Sequence, residues 1–394
     1  MRLLYVIDSL APGGAETSLV EMTPGLIRHG IDLHVLSLTS RLDLAEALTD
    51  AGARVHQAGS PHGRTGNVRA VVKIGREVKP DLIHTTLFEA DVAGRIGARI
   101  LGIPSSTSLV SDSYDASHYA ESNRWKLHAA RTLDATTARF ATRIHANSTA
   151  IARSVPPRIR INPEIVDVIP RGRDPERFHF QPIEAREAIR RELGLRESTK
   201  VIIAIGRLEP PKGLHHLLEA IPRIAQVTPD ACLIIVGRDG RASQELRHQA
   251  ASLPLEVKFL GHRTDIPQLL AGADVLAFPS EREGSPGTLI EALAVGTPIV
   301  ASDIPPNLEV LGNGPVPTGL IAQSRNPRAL ADAILRAFTD TESAKQRARS
   351  GRARFDALFT IDAIAAEMAA FFIDVANQGS PQTGSADLSV GSGA

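Results

Sequence analysis

The sequence predicts an α/β protein built of two doubly wound parallel-sheet domains, and three observations carry that prediction. Apolar runs of strand length alternate with amphipathic helical patterns along nearly all of the 394 residues, the pattern of a parallel sheet covered on both faces. The alternation breaks once, at a proline cluster near 154–182. The chain is also longer than one core ordinarily serves, since domains run to about 100–200 residues.

In chain order, the first half predicts strands at about 2–8, 32–38, 53–58, 81–87, 104–111 and 143–148, with helices between them. Gly30, Gly52 and Gly102 fall where those helices should end, because glycine takes the left-handed turn that closes a helix without steric cost. Pro156, Pro157, Pro163, Pro170, Pro175 and Pro182 then favour an extended connection, each lacking an amide for a helix or a central strand. The interdomain crossing is expected there. A second series follows, with strands near 200–206, 231–237, 256–260, 274–279, 298–301 and 316–321 and a last helix over 361–376. From 378 onward the chain is too poor in apolar side chains to pack and is expected to be disordered. The resulting division is 1–170, 171–360, a returning helix at 361–377 and a tail at 378–394.

Composition narrows the function. Forty-four acidic residues balance 44 basic ones, so no global field draws the protein to nucleic acid, and any anion site must be local. The single cysteine, Cys232, lies in an apolar strand run and excludes an intramolecular disulfide, which fits a reducing, cytoplasmic setting. The opening Met1–Asp8 reads as a strand rather than a leader, and no segment approaches the roughly 20 apolar residues of a membrane span. Basic and apolar residues mingle over 119–143, including Arg124, Trp125, Lys126, Arg131 and Phe140. This reads as a solvated face, with peripheral membrane contact expected if the acceptor is lipid-linked.

Three constellations carry chemistry. The first is Gly206-Arg207-Leu208-Glu209-Pro210-Pro211-Lys212-Gly213, directly after a strand. In an open parallel sheet the ligand crevice lies beyond the carboxyl ends of the strands, so Arg207 and Lys212 should reach it. A guanidinium fork and a mobile ammonium together suit a diphosphate. The second is Glu281 to Ala292, after another strand. Ser285 is the expected N-cap, Pro286 the first helical residue and Gly296 the stop, giving a helix over about 286–295. The free amides of Gly287, Thr288 and Leu289 would then face the crevice as an anion site. Glu283 lies just before that helix and Glu291 about one and a half turns into it, an offset that suits a sugar and a ribose. The third is Leu10-Ala11-Pro12-Gly13-Gly14-Ala15-Glu16, a glycine pair that lets backbone approach phosphate or sugar closely.

These three, in this order, resemble the retaining glycosyltransferases of the GT-B fold, a pair of Rossmann-like domains facing a central cleft. Glu283 to Glu291 is similar to that family's E-x7-E motif, and Gly206-Arg207 with Lys212-Gly213 to its phosphate loop. Val168 to Asp174 looks like its interdomain stretch, with arginines at 171 and 173 where asparagine and an apolar residue are usual. The resemblance implies a nucleotide-diphosphate-sugar donor bound by Gly13, Gly14, Gly206, Arg207, Lys212, His262, Arg263, Glu283, Gly287, Thr288, Leu289 and Glu291. It implies a sugar, lipid-linked or small-molecule acceptor near Glu16, His84 and Ser111, and catalysis resting on Glu283, Arg207 and Lys212. Where many members place a histidine, this loop reads Leu109-Val110-Ser111-Asp112, leaving Asp112 as the nearest polar substitute. No D-x-D and no histidine–carboxylate cluster is legible as a metal cage, so neither metal nor cofactor is expected. A sugar-nucleotide epimerase or phosphorylase, and a non-catalytic sugar-nucleotide-binding descendant, share this architecture and are the alternatives.

Overall fold

The computed structural model describes residues 1–58, 63–114, 124–312, 314 and 317–378. The expected tail at 378–394 lies, beyond its first residue, outside them, as does the start of the 119–143 segment. Seven strands form the first sheet: β1 (Arg2–Ile7), β2 (Asp32–Ser37), β3 (Arg54–Gln57), β4 (Leu82–Thr86), β5 (Ser105–Leu109), β6 (Arg143–Ala146) and β7 (Val166–Val168). They lie in the order β3-β2-β1-β4-β5-β6-β7, with every pair parallel. Six form the second: β8 (Val201–Ile205), β9 (Cys232–Val236), β10 (Glu256–Gly261), β11 (Val275–Phe278), β12 (Ile299–Ser302) and β13 (Leu320–Ala322), ordered β10-β9-β8-β11-β12-β13.

Strands β1 and β8 are apolar on both faces because helices cover both, whereas β4 and β5 bury His84, Thr85, Thr86 and Ser105 to Ser108 and satisfy several of them with one another. Leu3, Leu4, Val6 and Ile7 of β1 are fully buried, as are Ile202 and Ile203 of β8. Strand order reverses between β1 and β4 in one domain and between β8 and β11 in the other. The loops that diverge at such switch points leave a crevice beyond the strand ends.

β7 was not foreseen. It is three residues long, with Asp167 between two valines, and framed by Pro163 and Pro170, so it offers no periodicity to read. Nor do all the prolines interrupt helices as expected, since Pro156 and Pro157 lie inside the helix Thr149–Ile159. They occupy its last turns, and the Pro156 carbonyl still accepts from Ile161, so the loss of two amides is absorbed near the end.

The chain crosses between the domains twice, side by side. The Arg173 amide donates to the Phe359 carbonyl at 2.8 Å and the Ile361 amide to the Arg173 carbonyl at 2.9 Å. Beyond this pairing the helix Ile361–Gln378 returns to the first domain. Its Ile364, Met368, Phe372 and Val375 join the core that holds Leu19, Met22 and Leu26. No helix among the described residues is long and apolar enough to cross a membrane.

Candidate active site

Both switch points open on the same cleft. On the first-domain side, β1 runs through Gly13 into the helix Gly14–Arg28, with Gly13 as its N-cap in extended conformation. Glu16 is 8% exposed, and its carboxylate accepts from its own amide and that of Ala15. Burial raises its pKa, while Arg171 and, from the other domain, Arg207 pull it down. Glu16 and Arg207 thus feel one another's charge from opposite domains.

On the second-domain side, Arg207 follows β8 and is exposed, with no ion pair or hydrogen bond to its guanidinium among the described residues. The short 3-10 turn Pro210–Lys212 presents Lys212, whose Nζ meets Glu283 Oε1 at 2.6 Å. The turn closes on Gly213, whose φ of +64° is open to glycine. A Cβ there would lie 2.2 Å from the Pro279 carbonyl oxygen, so this glycine lets the loops after β8 and β11 touch. The Glu281 amide donates to the Pro211 carbonyl at 2.9 Å beside it. Gly213→Ala is expected to wedge these loops apart and weaken nucleotide binding by about tenfold or more, with the fold kept; titration calorimetry with a nucleoside diphosphate checks it.

The donor helix begins one residue later than expected. It spans Gly287–Val295 with Pro286 as N-cap, and Ser285 makes no cap bond. The amide of Leu289 is also withdrawn from the anion site, because it donates to the Pro286 carbonyl at 3.1 Å and the residue is fully buried. Gly287 and Thr288, half-buried at the helix start, keep the free amides that the macrodipole makes attractive to phosphate.

The largest surprise lies over this helix. Arg173, 7% exposed, donates from Nε to Glu291 Oε1 at 2.7 Å and from Nη1 to Glu21 Oε2 at 3.2 Å. Its third nitrogen stands where a Cβ on Gly287 would be, at 2.1 Å. Glu291, Arg173 and Glu21 thus link the donor helix, the interdomain crossing and the first helix of the other domain. Arg171 lies beside Gly14, with Nη1 2.9 Å from the position of a Cβ there. Burial and Arg173 lower its pKa to about 10, opposed by Glu283, Glu21 and Glu16. Both arginines were visible in sequence only as departures from a pattern. Arg238, after β9, was missed entirely and reaches across the cleft to the Pro12 carbonyl at 3.2 Å.

Other expectations need correction. His84 does not reach the cleft: it is fully buried, and its ring nitrogens meet Ser106 at 2.7 Å and Ser108 at 2.9 Å. It packs against Tyr5 and Phe372, and burial holds it well below the ordinary histidine range. The Arg263 guanidinium is spent on Asp265, at 2.8 and 2.6 Å, and on Glu192 at 2.9 Å, which leaves the backbone contacts expected of this segment and does not correct them. His262 is exposed beside Arg238. Ser111 is exposed and lies by Asp112. Asp112 is pinned by Arg158 at 3.3 Å and lines a cavity of about 740 Å³ with Arg153, Glu283 and Glu309. Glu309, in the wall of that cavity, accepts from the Thr149 and Ala150 amides of the first domain at 2.7 and 3.2 Å. Finally, one histidine–carboxylate cluster does exist. His215, His216 and Glu281 bring their donor atoms within 4.8 Å of one another, which adjacent histidines far from Glu281 in sequence did not reveal.

Paired switch points, four cleft arginines, a lysine and a helix N-terminus give a two-domain α/β fold whose facing sheet ends line one cation-rich cleft. The profile of Glycosyltransferase Family 4 matches residues 12–177 and that of Glycosyl transferases group 1 matches residues 185–354. The chain belongs to these group 1, GT-B-type glycosyltransferases. It is 28% identical over 301 residues to the 2-deoxystreptamine glucosyltransferase of Streptomyces kanamyceticus, covering 71% of this chain and 74% of that one. It is 32% identical over 198 residues to a GDP-mannose-dependent phosphatidylinositol monomannoside mannosyltransferase of Corynebacterium glutamicum, a match spanning 48% of this chain and about half, 51%, of the relative. Among solved structures, Anabaena HepE in complex with UDP-glucose superposes with a TM-score of 0.81 at 28% identity, over 95% of this chain and all of that one.

Proposed function

We propose that the chain is a retaining, metal-independent glycosyltransferase that moves a sugar from a nucleotide-diphosphate sugar to an acceptor hydroxyl. The observation that carries this reading is that Arg207, Lys212 and the free Gly287 and Thr288 amides all lie on the segments that follow β8 and β11, the strands that flank the switch point. The likeness to a protein solved with UDP-glucose supports the donor class.

In this reading the diphosphate lies on Arg207, Lys212 and the helix amides, Glu291 accepts from the ribose and Glu283 from the transferred sugar. Arg173 holds one oxygen of Glu291 at 2.7 Å, which leaves the other to read the nucleoside. Lys212 and Glu283 neutralise each other at 2.6 Å until the donor enters; the ammonium then turns to phosphate and the carboxylate to sugar hydroxyls. As the bond from the anomeric carbon to the diphosphate breaks, negative charge gathers on the departing oxygen. Preorganised cations and dipoles stabilise it there, each contributing about 2–4 kcal/mol. The acceptor oxygen bonds to the anomeric carbon on the face the diphosphate left, and its proton passes to a phosphate oxygen. Asp112, held by Arg158, borders the acceptor cavity. Closure of the domains excludes water, so hydrolysis is slow beside transfer.

Fixed cations take the part a divalent ion plays elsewhere. Turnover in excess EDTA is therefore expected to stay within about twofold of turnover in magnesium, by initial-rate assay. A screen of UDP-, GDP- and ADP-sugars by thermal shift, followed by proton NMR of the product, tests the proposal as a whole. It expects one donor to raise the melting temperature and the product to keep the donor's anomeric configuration. An inverted product, or no transfer to any acceptor in a broad panel, would overturn it.

Cytoplasmic placement is part of this reading, and the buried free thiol of Cys232 is compatible with it. If the acceptor is lipid-linked, the helix Arg124–Thr137 provides a contact surface, with Trp125 84% exposed.

A further inference from the structure

We infer that His215, His216 and Glu281 form a binding site for a borderline divalent transition metal, Zn²⁺, Co²⁺ or Ni²⁺, which clamps the two donor loops together. His215 and His216 open the helix Leu214–Val227 directly after Gly213, while Glu281 belongs to the loop after β11. Glu281 Oε1 lies 3.0 Å from His216 Nε2 and 3.5 Å from His215 Nε2. Ligands bound at about 2.0–2.1 Å around one tetrahedral ion stand roughly 3.3 Å apart, so these separations suit a shared cation with little movement. Two imidazoles and one carboxylate oxygen select borderline metals over Mg²⁺ or Ca²⁺, which require oxygen cages.

The surroundings are arranged as those of a metal site usually are. Arg325 holds the far oxygen of Glu281 at 2.7 Å, fixing the carboxylate while leaving Oε1 turned to the histidines. Nδ1 of His216 is buried without a hydrogen-bond partner, and a Glu219 oxygen stands 3.8 Å from it. When Nε2 takes a metal the ring proton resides on Nδ1, where Glu219 can accept it, the carboxylate–histidine arrangement that orients metal ligands. His215 is 37% exposed in its side chain, which gives an ion a path from solvent and leaves the remaining positions to water. The site is separate from the transfer chemistry, which needs no ion. Its effect is structural, because Glu281 stands two residues from Glu283 and His215 three from Lys212.

The test uses the untagged full-length chain, stripped with EDTA and desalted, with no nucleotide present, so its result is independent of the transferase reading. Titration with Zn²⁺ should give one site per chain in the micromolar range. Co²⁺ should produce the visible absorption of a low-symmetry ion with nitrogen ligands, and saturating Zn²⁺ should raise the melting temperature. His215→Ala removes the most exposed ligand with least disturbance of packing. It should weaken Zn²⁺ about tenfold or more, as loss of a ligand shell member does, and abolish both the Co²⁺ signal and the thermal shift. Glu281→Gln should behave likewise. If the wild type binds no Zn²⁺, or if His215→Ala and Glu281→Gln bind it as tightly and with the same Co²⁺ spectrum, the site does not exist.

Discussion

Replacing Arg207 and Lys212 together with alanine is expected to lower kcat/KM for the sugar nucleotide by about a thousandfold or more. Each cation contributes roughly 2–4 kcal/mol to a leaving group whose charge develops in the transition state, and about 1.4 kcal/mol is a tenfold change in rate. The two act on one diphosphate, so their effects need not add. Arg207 is exposed and has no hydrogen bond or ion pair to its side chain among the described residues, so the single variant Arg207→Ala should lose rate with little loss of stability. Lys212→Ala also strands Glu283, whose side chain is 10% exposed, and should lower the melting temperature modestly. Steady-state kinetics beside thermal unfolding separates the two contributions. Undiminished turnover in the double variant would contradict the assignment.

Arg173→Leu is expected to have the other large effect, on stability and donor affinity together. Its guanidinium is buried between Glu21 and Glu291, whose side chains are 16% and 13% exposed. Removing one member of a buried ion cluster leaves uncompensated charge and costs about 3–5 kcal/mol. The melting temperature should fall by several degrees, and KM for the donor should rise because Glu291 is no longer aimed. The loss also carries a pH signature. Burial already raises the pKa of Glu21, and Arg173 is the leading opposing influence, so without it Glu21 rises further. A carboxyl with a raised folded-state pKa favours the folded protein when protonated and disfavours it as pH climbs through that value. The deficit of the variant relative to wild type should therefore shrink toward pH 5 and widen toward pH 8, measured by denaturant unfolding. A deficit independent of pH would mean that lost packing, not stranded charge, explains it.

Twelve strands were legible: the buried ones of the second sheet are uniform apolar runs, as in Val201–Ile205 and Cys232–Val236, and polar ones such as Ser105–Leu109 stand out by β-branched and small residues between helical patterns. The thirteenth, Val166–Val168, is short, with Asp167 between its valines, and nothing local marks it. The donor loops were legible for a different reason: they follow strands directly, so position along the sheet tells where Arg207, Lys212 and Glu283 emerge. What sequence could not show is which charges meet. Glu21, Arg173 and Glu291 are drawn together by domain packing across more than a hundred residues, and Glu281 meets His215 and His216 only because Gly213 lets two loops touch. His84 failed in the opposite direction. It lies two residues from the carboxyl end of β4, but β5 supplies two serines that satisfy it and the returning helix covers it with Phe372.

The account depends on a single place where a pyrophosphate is held. Crystals grown with the nucleoside diphosphate that gives the largest thermal shift would locate it. The expected map shows phosphate oxygens within hydrogen-bond distance of Arg207, Lys212 and the amides of Gly287 and Thr288, with Lys212 released from Glu283. A diphosphate bound elsewhere, with Lys212 still on Glu283 and the helix amides unengaged, would contradict it.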